Sequence, residues 1–101
     1  MNRRLSDLTP DELRREIDRL QRDVETKRNQ GLMAEAEVLE QRLFLAKSYL
    51  CDPRAFRPGE TYRVVGEDRP FRLDFVRGVM AWGHLEGETE ARAFPLGRLY
   101  R

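Results

Sequence analysis

The spacing of apolar residues changes once along this chain, near Asp52-Pro53, from the three-and-four steps of a helix to the alternation of a strand. Before that point Leu13, Ile17, Leu20 and Val24 form a single helical stripe. Thr9-Pro10-Asp11-Glu12 opens the helix: Thr9 is an N-cap, Pro10 suits the first helical position, and Glu12 completes a capping box. Asn29-Gln30-Gly31 ends it, and a second helix is expected from Leu32 to Leu50, closed by Asp52-Pro53. So short a connection makes the helices antiparallel neighbours, two rods each roughly 30 Å long.

The second helix is too apolar for a hairpin alone. Leu32, Ala36, Leu39, Leu43, Ala46 and Leu50 should face the first helix. Val38, Leu45 and Tyr49 make a second stripe offset by about 100°, and Phe44 lies at a third angle. That stripe needs a cover, either the C-terminal half or another copy of the chain. Val38, Phe44, Leu45 and Tyr49 are therefore candidates for an interaction surface.

The second half alternates. Thr61–Val65 puts Tyr62 and Val64 on one face, and in the next strand Phe71, Leu73 and Phe75 oppose Arg72 and Asp74. Val79–His84 returns after a turn at Arg77-Gly78, and Ala91–Phe94 follows an acidic loop. Pro95-Leu96-Gly97-Arg98-Leu99 reads as a terminal turn carrying two apolar residues to the core. The expected fold is α+β: an N-terminal antiparallel helical hairpin, residues 1–50, packed on a small SH3-like β-barrel, residues 51–101, as one cooperative unit.

The turn at Arg77-Gly78 admits two registers. A two-residue loop pairs Val76 with Val79, Phe75 with Met80, Leu73 with Trp82 and Phe71 with His84, which buries the indole. A bulge at Gly78 instead sets Arg72 opposite Trp82 and exposes the aromatic as a stacking platform beside a cation. Hiding an indole and a methionine outweighs a turn preference of about 1 kcal/mol, so the first register, with Trp82 mostly buried, is expected.

Charge narrows the function. In 101 residues, 19 basic side chains meet 18 acidic ones for a net charge of +1, unlike a protein that coats nucleic acid by bulk charge. No run of about 18 apolar residues is present, so no membrane-spanning helix is expected. A charged start and a single cysteine, Cys51, lead to the expectation of an unexported, cytoplasmic protein.

Seventeen of the basic residues are arginines. Arg15, Arg19 and Arg22 share a helical stripe, and Arg63, Arg72 and Arg92 occupy strand positions expected to point outward. These six are the candidate nucleic-acid contacts. Against that reading, Asp11 with Arg15, Asp18 with Arg22 and Asp23 with Lys27 are spaced for i,i+4 ion pairs. The loop from Glu86 to Glu90 would also repel phosphate. A helix-turn-helix fares worse, because Glu35, Glu37 and Glu40 would enter the groove.

Site chemistry is sparse. His84 is the only histidine, the serines are Ser6 and Ser48, and Cys51 follows a helix C-terminus, where the dipole disfavours a thiolate. One Cys and one His cannot build a zinc site, and no phosphate-cradling glycine loop is present. No catalytic residue, cofactor or metal is expected. A protein partner or self-association is the leading expectation, and nucleic-acid binding by a transcriptional regulator the alternative.

Several runs match a known family in order. They are Leu8-Thr9-Pro10-Asp11-Glu12-Leu13-Arg14, Ala46-Lys47-Ser48-Tyr49-Leu50-Cys51-Asp52-Pro53, Phe56-Arg57-Pro58-Gly59-Glu60-Thr61-Tyr62 and Gly78-Val79-Met80-Ala81-Trp82-Gly83. Over nearly its whole length the chain resembles the YfhH-like family of small uncharacterised proteins from Bacillus and its relatives. The resemblance implies a helical pair followed by a small β-barrel. Some members carry a transcriptional-regulator label, and none brings catalytic residues to transfer.

Overall fold

The computed structural model describes residues 3–101. The Thr9 hydroxyl accepts the Glu12 amide at 3.2 Å while the Glu12 carboxylate accepts the Thr9 amide at 3.0 Å, so the expected capping box opens helix α1, Pro10–Asn29. Helix α2, Met33–Ser48, packs along it. Leu5, Leu13, Leu20, Leu43 and Ala46 form the buried cluster between them, with Ile17, Leu39 and Leu45 packed against it. Leu32 and Leu50, expected in the same stripe, fall just outside α2 and are exposed.

The exposed ion pairs of α1 differ from the expected set. Arg14 takes Asp11, Arg19 takes both Glu16 and Asp23, and Lys27 reaches across to Glu35 on α2. Exposed pairs on one helix face differ by only tenths of a kcal/mol, so spacing alone does not choose among them.

The C-terminal half forms strands β1 Thr61–Val64, β2 Phe71–Arg77, β3 Met80–Leu85, β4 Arg92–Pro95 and β5 Leu99–Tyr100. Their order is β4-β3-β2-β1-β5, with every neighbouring pair antiparallel. The α+β class is as expected. The sheet, however, is open: β4 and β5 are not paired with each other, and a 3-10 turn, Leu96–Arg98, carries the chain from one edge to the other. A last strand of two residues pairs with β1 alone. Tyr62, Val64, Phe71, Leu73, Phe94 and Leu96 belong to the cluster that fills the inner face.

The helices meet this half along a seam the sequence did not indicate. Of the two covers expected for the Val38, Leu45 and Tyr49 stripe, the C-terminal half or another copy of the chain, the first is not what the structure shows: Phe44, Lys47 and Ser48 face the turn Leu96–Arg98. Ser48 is buried, donates its hydroxyl to the Phe44 carbonyl at 2.7 Å and accepts the Gly97 amide at 2.8 Å. A Cβ on Gly97 would lie 2.6 Å from the Phe44 carbonyl oxygen, so only glycine lets the turn come this close.

The β2–β3 hairpin follows neither expected register. Its loop is Gly78-Val79, with Arg77 paired to Met80 and Gly78 at φ 60°. Glycine at the first loop position is the requirement of a type II′ turn, and it spares Arg77 the positive φ that the two-residue reading demanded. Val76 then pairs with Ala81 and Phe75 with Trp82, but Leu73 pairs with Gly83, so Asp74 is an extra residue, a β-bulge. The bulge reverses the alternation: Phe71 and Leu73 point inward, Phe75 points outward, and Val76 turns in again.

Candidate functional site

The expected helical surface is thin. Val38 is 66% exposed and Tyr49 39%, but they lie eleven residues apart, roughly 16 Å along the axis. Between them Leu45 is half-buried against the helical cluster. Phe44 belongs to the seam, where Lys47 and Arg98 approach its ring at 5.9 and 5.8 Å.

Nor do the six candidate arginines form one surface. Arg15, Arg19 and Arg22 are exposed on α1, and Arg19 is neutralised by Glu16 and Asp23. Arg92 is held by Glu67 and Glu88 and lies over the Phe94 ring, on the core side of the sheet. Arg63 and Arg72 do project from the outer face, where Arg63 pairs with Tyr100 and Arg72 lies between Thr61 and His84.

That outer face carries the side chains which the bulge displaced. Phe75 is 43% exposed and stacks on half-buried Trp82, their rings 6.1 Å apart and within 10° of parallel. Trp82, expected in the core, is here because the bulge puts Phe75 opposite it. Ala93 pairs with Trp82 on the far side, and Met80 flanks it one row away. The Arg77 guanidinium lies 5.4 Å from the centre of the Phe75 ring, within cation–π reach.

Polar groups complete the face. Asp74, the bulged residue, meets His84 Nδ1 at 2.8 Å, which places a carboxylate and an imidazole side by side. Thr61, Arg72, His84 and Glu86 border a shallow depression of about 420 Å³ at the end of β3 away from the aromatic stack. Among the described residues, neither Arg72 nor Arg77 lies within ion-pair distance of a carboxylate.

Cys51 lies away from this face, packed against the inner cluster of the sheet. Burial pushes its thiol above the usual range, and its Sγ donates weakly to the Lys47 carbonyl at 3.4 Å. A thiol held protonated in this way is a poor nucleophile.

Simple alternation missed Phe75, Arg77 and Trp82 as one surface. The available signal was Gly83 inside a strand, a common mark of a bulge or a close backbone approach. A Cβ there would lie 2.0 Å from the Arg72 carbonyl oxygen.

Residues 3–100 match a family described as protein of unknown function (DUF1811). The chain is also 39% identical over 100 residues to the uncharacterized protein YfhH of Bacillus subtilis (strain 168), an alignment covering 98% of this chain and 96% of that protein.

Proposed function

The chain belongs to the DUF1811 family of proteins of unknown function, and from its own surface we propose a non-catalytic, cytoplasmic binding module that works through the outer face of its sheet. The observation that carries this reading is the Phe75–Trp82 stack. Two aromatic rings held parallel on the solvent side of a sheet give up burial that simple alternation would have provided. An exposed phenylalanine stacked on a half-buried tryptophan suits recognition of a partner. The strand order, with a 3-10 turn between the last two strands, supports an SH3-like barrel left open between β4 and β5.

The same geometry argues against catalysis. His84 has an orienting carboxylate in Asp74, but Thr61 is two strands away, about 10 Å. That is beyond the reach of proton transfer. The Ser48 hydroxyl is buried and engaged by Gly97, and the Cys51 thiol is held protonated.

A photo-crosslinking amino acid at position 75, in the native host, tests the assignment. A discrete adduct that disappears when Trp82→Leu is added supports it. Equal, diffuse labelling from position 75 and from exposed Gln21 on α1 contradicts it. A second reading, a protein partner or second copy against α2, is favoured by the exposure of Val38. It predicts the discrete adduct from position 38 instead.

A further inference from the structure

We infer that the outer face of the sheet binds single-stranded nucleic acid, with unpaired bases stacking on Phe75 and Trp82 and phosphates meeting Arg72 and Arg77. This rests on the sheet face being the working surface, and adds what occupies it. The first support is aromatic. Every base has a π-face, and a pair of near-parallel rings on an exposed sheet offers stacking without regard to sequence.

Charge complementarity is the second. The protein as a whole is nearly neutral, at +1, yet the outer face collects Arg63, Arg72 and Arg77. Its one carboxylate beside the stack, Asp74, is already engaged by His84. The acids of the β3–β4 loop lie past the end of β3 away from the stack, where Glu86 borders the depression beside Arg72 and Glu88 is tied to Arg69 and Arg92. Arg77 is on the aromatic surface itself, so cation and ring act at one place.

A single strand fits this arrangement better than a duplex. A duplex presents phosphates, sugars and base edges but hides its base faces, which would leave Phe75 and Trp82 without a ring to stack on. Three arginines give little reserve for holding a duplex by charge alone.

The test is titration of the full-length protein, read by Trp82 fluorescence, with twelve-nucleotide oligo(dT) and oligo(U), a duplex of equal length, and inorganic polyphosphate. The single strands should quench Trp82 and saturate, while the duplex and polyphosphate leave it nearly unchanged. Affinity should fall with salt, with a log–log slope of about −1.4 for the two phosphates neutralised by Arg72 and Arg77. Phe75→Ala should weaken binding about tenfold, as loss of one stacked base predicts. Arg77→Ala, a surface change whose fold is checked by an unchanged melting curve, should weaken it at least threefold. No quenching by single strands at low salt overturns the inference, as does equal quenching by polyphosphate, or affinity indifferent to both substitutions. If the oligonucleotides fail while position 75 still gives a discrete protein adduct, the face remains the binding surface and nucleic acid is excluded as its occupant. If both fail, the face assignment falls too.

Discussion

The Ser48 hydroxyl accepts the Gly97 amide at 2.8 Å and donates its own hydrogen bond to the Phe44 carbonyl, so one buried side chain ties α2 to the turn between β4 and β5. The helical and sheet clusters are otherwise separate sets of residues. The tie therefore has consequences out of proportion to its size. Ser48→Ala leaves the Gly97 amide without its partner and should destabilise by about 1–3 kcal/mol. Gly97→Ala drives a methyl into the backbone of α2 and should cost at least about 2 kcal/mol. Denaturant melts check both; an unchanged midpoint for Gly97→Ala would mean the seam does not close as described.

Leu43 tests the helical side. It is buried between α1 and α2 among Leu13, Leu20 and Ala46. Leu43→Ala should destabilise by roughly 2–5 kcal/mol. An exposed-position value, within about 0.5 kcal/mol of the parent, would show that α2 is rotated.

The two halves are expected to melt as one. Residues 51–101 alone are about 50 residues, a size at which a core seldom stands unaided, and they would lose the cover that α2 gives the turn Leu96–Arg98. The fragment should be unfolded or aggregate; a dispersed amide spectrum and a cooperative melt from it would contradict this.

Glu16 links α1 to α2 and gives a pH signature. Its hydrogen bond to Arg19, together with the charges of Arg19 and Arg42, holds its carboxyl below the ordinary carboxylate range. A carboxylate whose pKa is lower when folded stabilises above its unfolded pKa, and that contribution disappears as the pH falls through the folded value. Glu16→Gln should thus be less stable than the parent at neutral pH, by under about 1 kcal/mol. The gap should close as the pH falls below the ordinary carboxylate range. An equal gap at neutral and at low pH would show that the carboxylate charge is not what matters.

The helical half was largely legible because its signals are local. A capping box, a three-and-four stripe and a glycine stop each act within a turn or two, and Thr9, Glu12, Leu13, Leu20 and Leu43 took their expected places. The strands were legible as strands. What escaped was the phase of β2 after Leu73, because one extra residue exchanges the faces of everything beyond it. The seam escaped for a different reason. Ser48 and Gly97 are 49 positions apart, and nothing in a serine near a helix end announces which distant amide it will accept. The binding face inherits both difficulties: Arg63 and Arg72 could be read as outward, whereas Phe75 and Trp82 became neighbours on that side only through the bulge.

The state of Trp82 decides whether the outer face can bind by stacking, and as the only tryptophan it reports without interference. Collisional quenching of the folded protein should show emission to the red of a fully buried indole. Iodide should quench more strongly than caesium, because Arg72 and Arg77 draw an anion to the face and repel a cation. Blue-shifted emission that resists iodide, caesium and acrylamide alike would place the indole in the core, restore the simple alternation of β2, and leave the outer face with no aromatic stack to bind with.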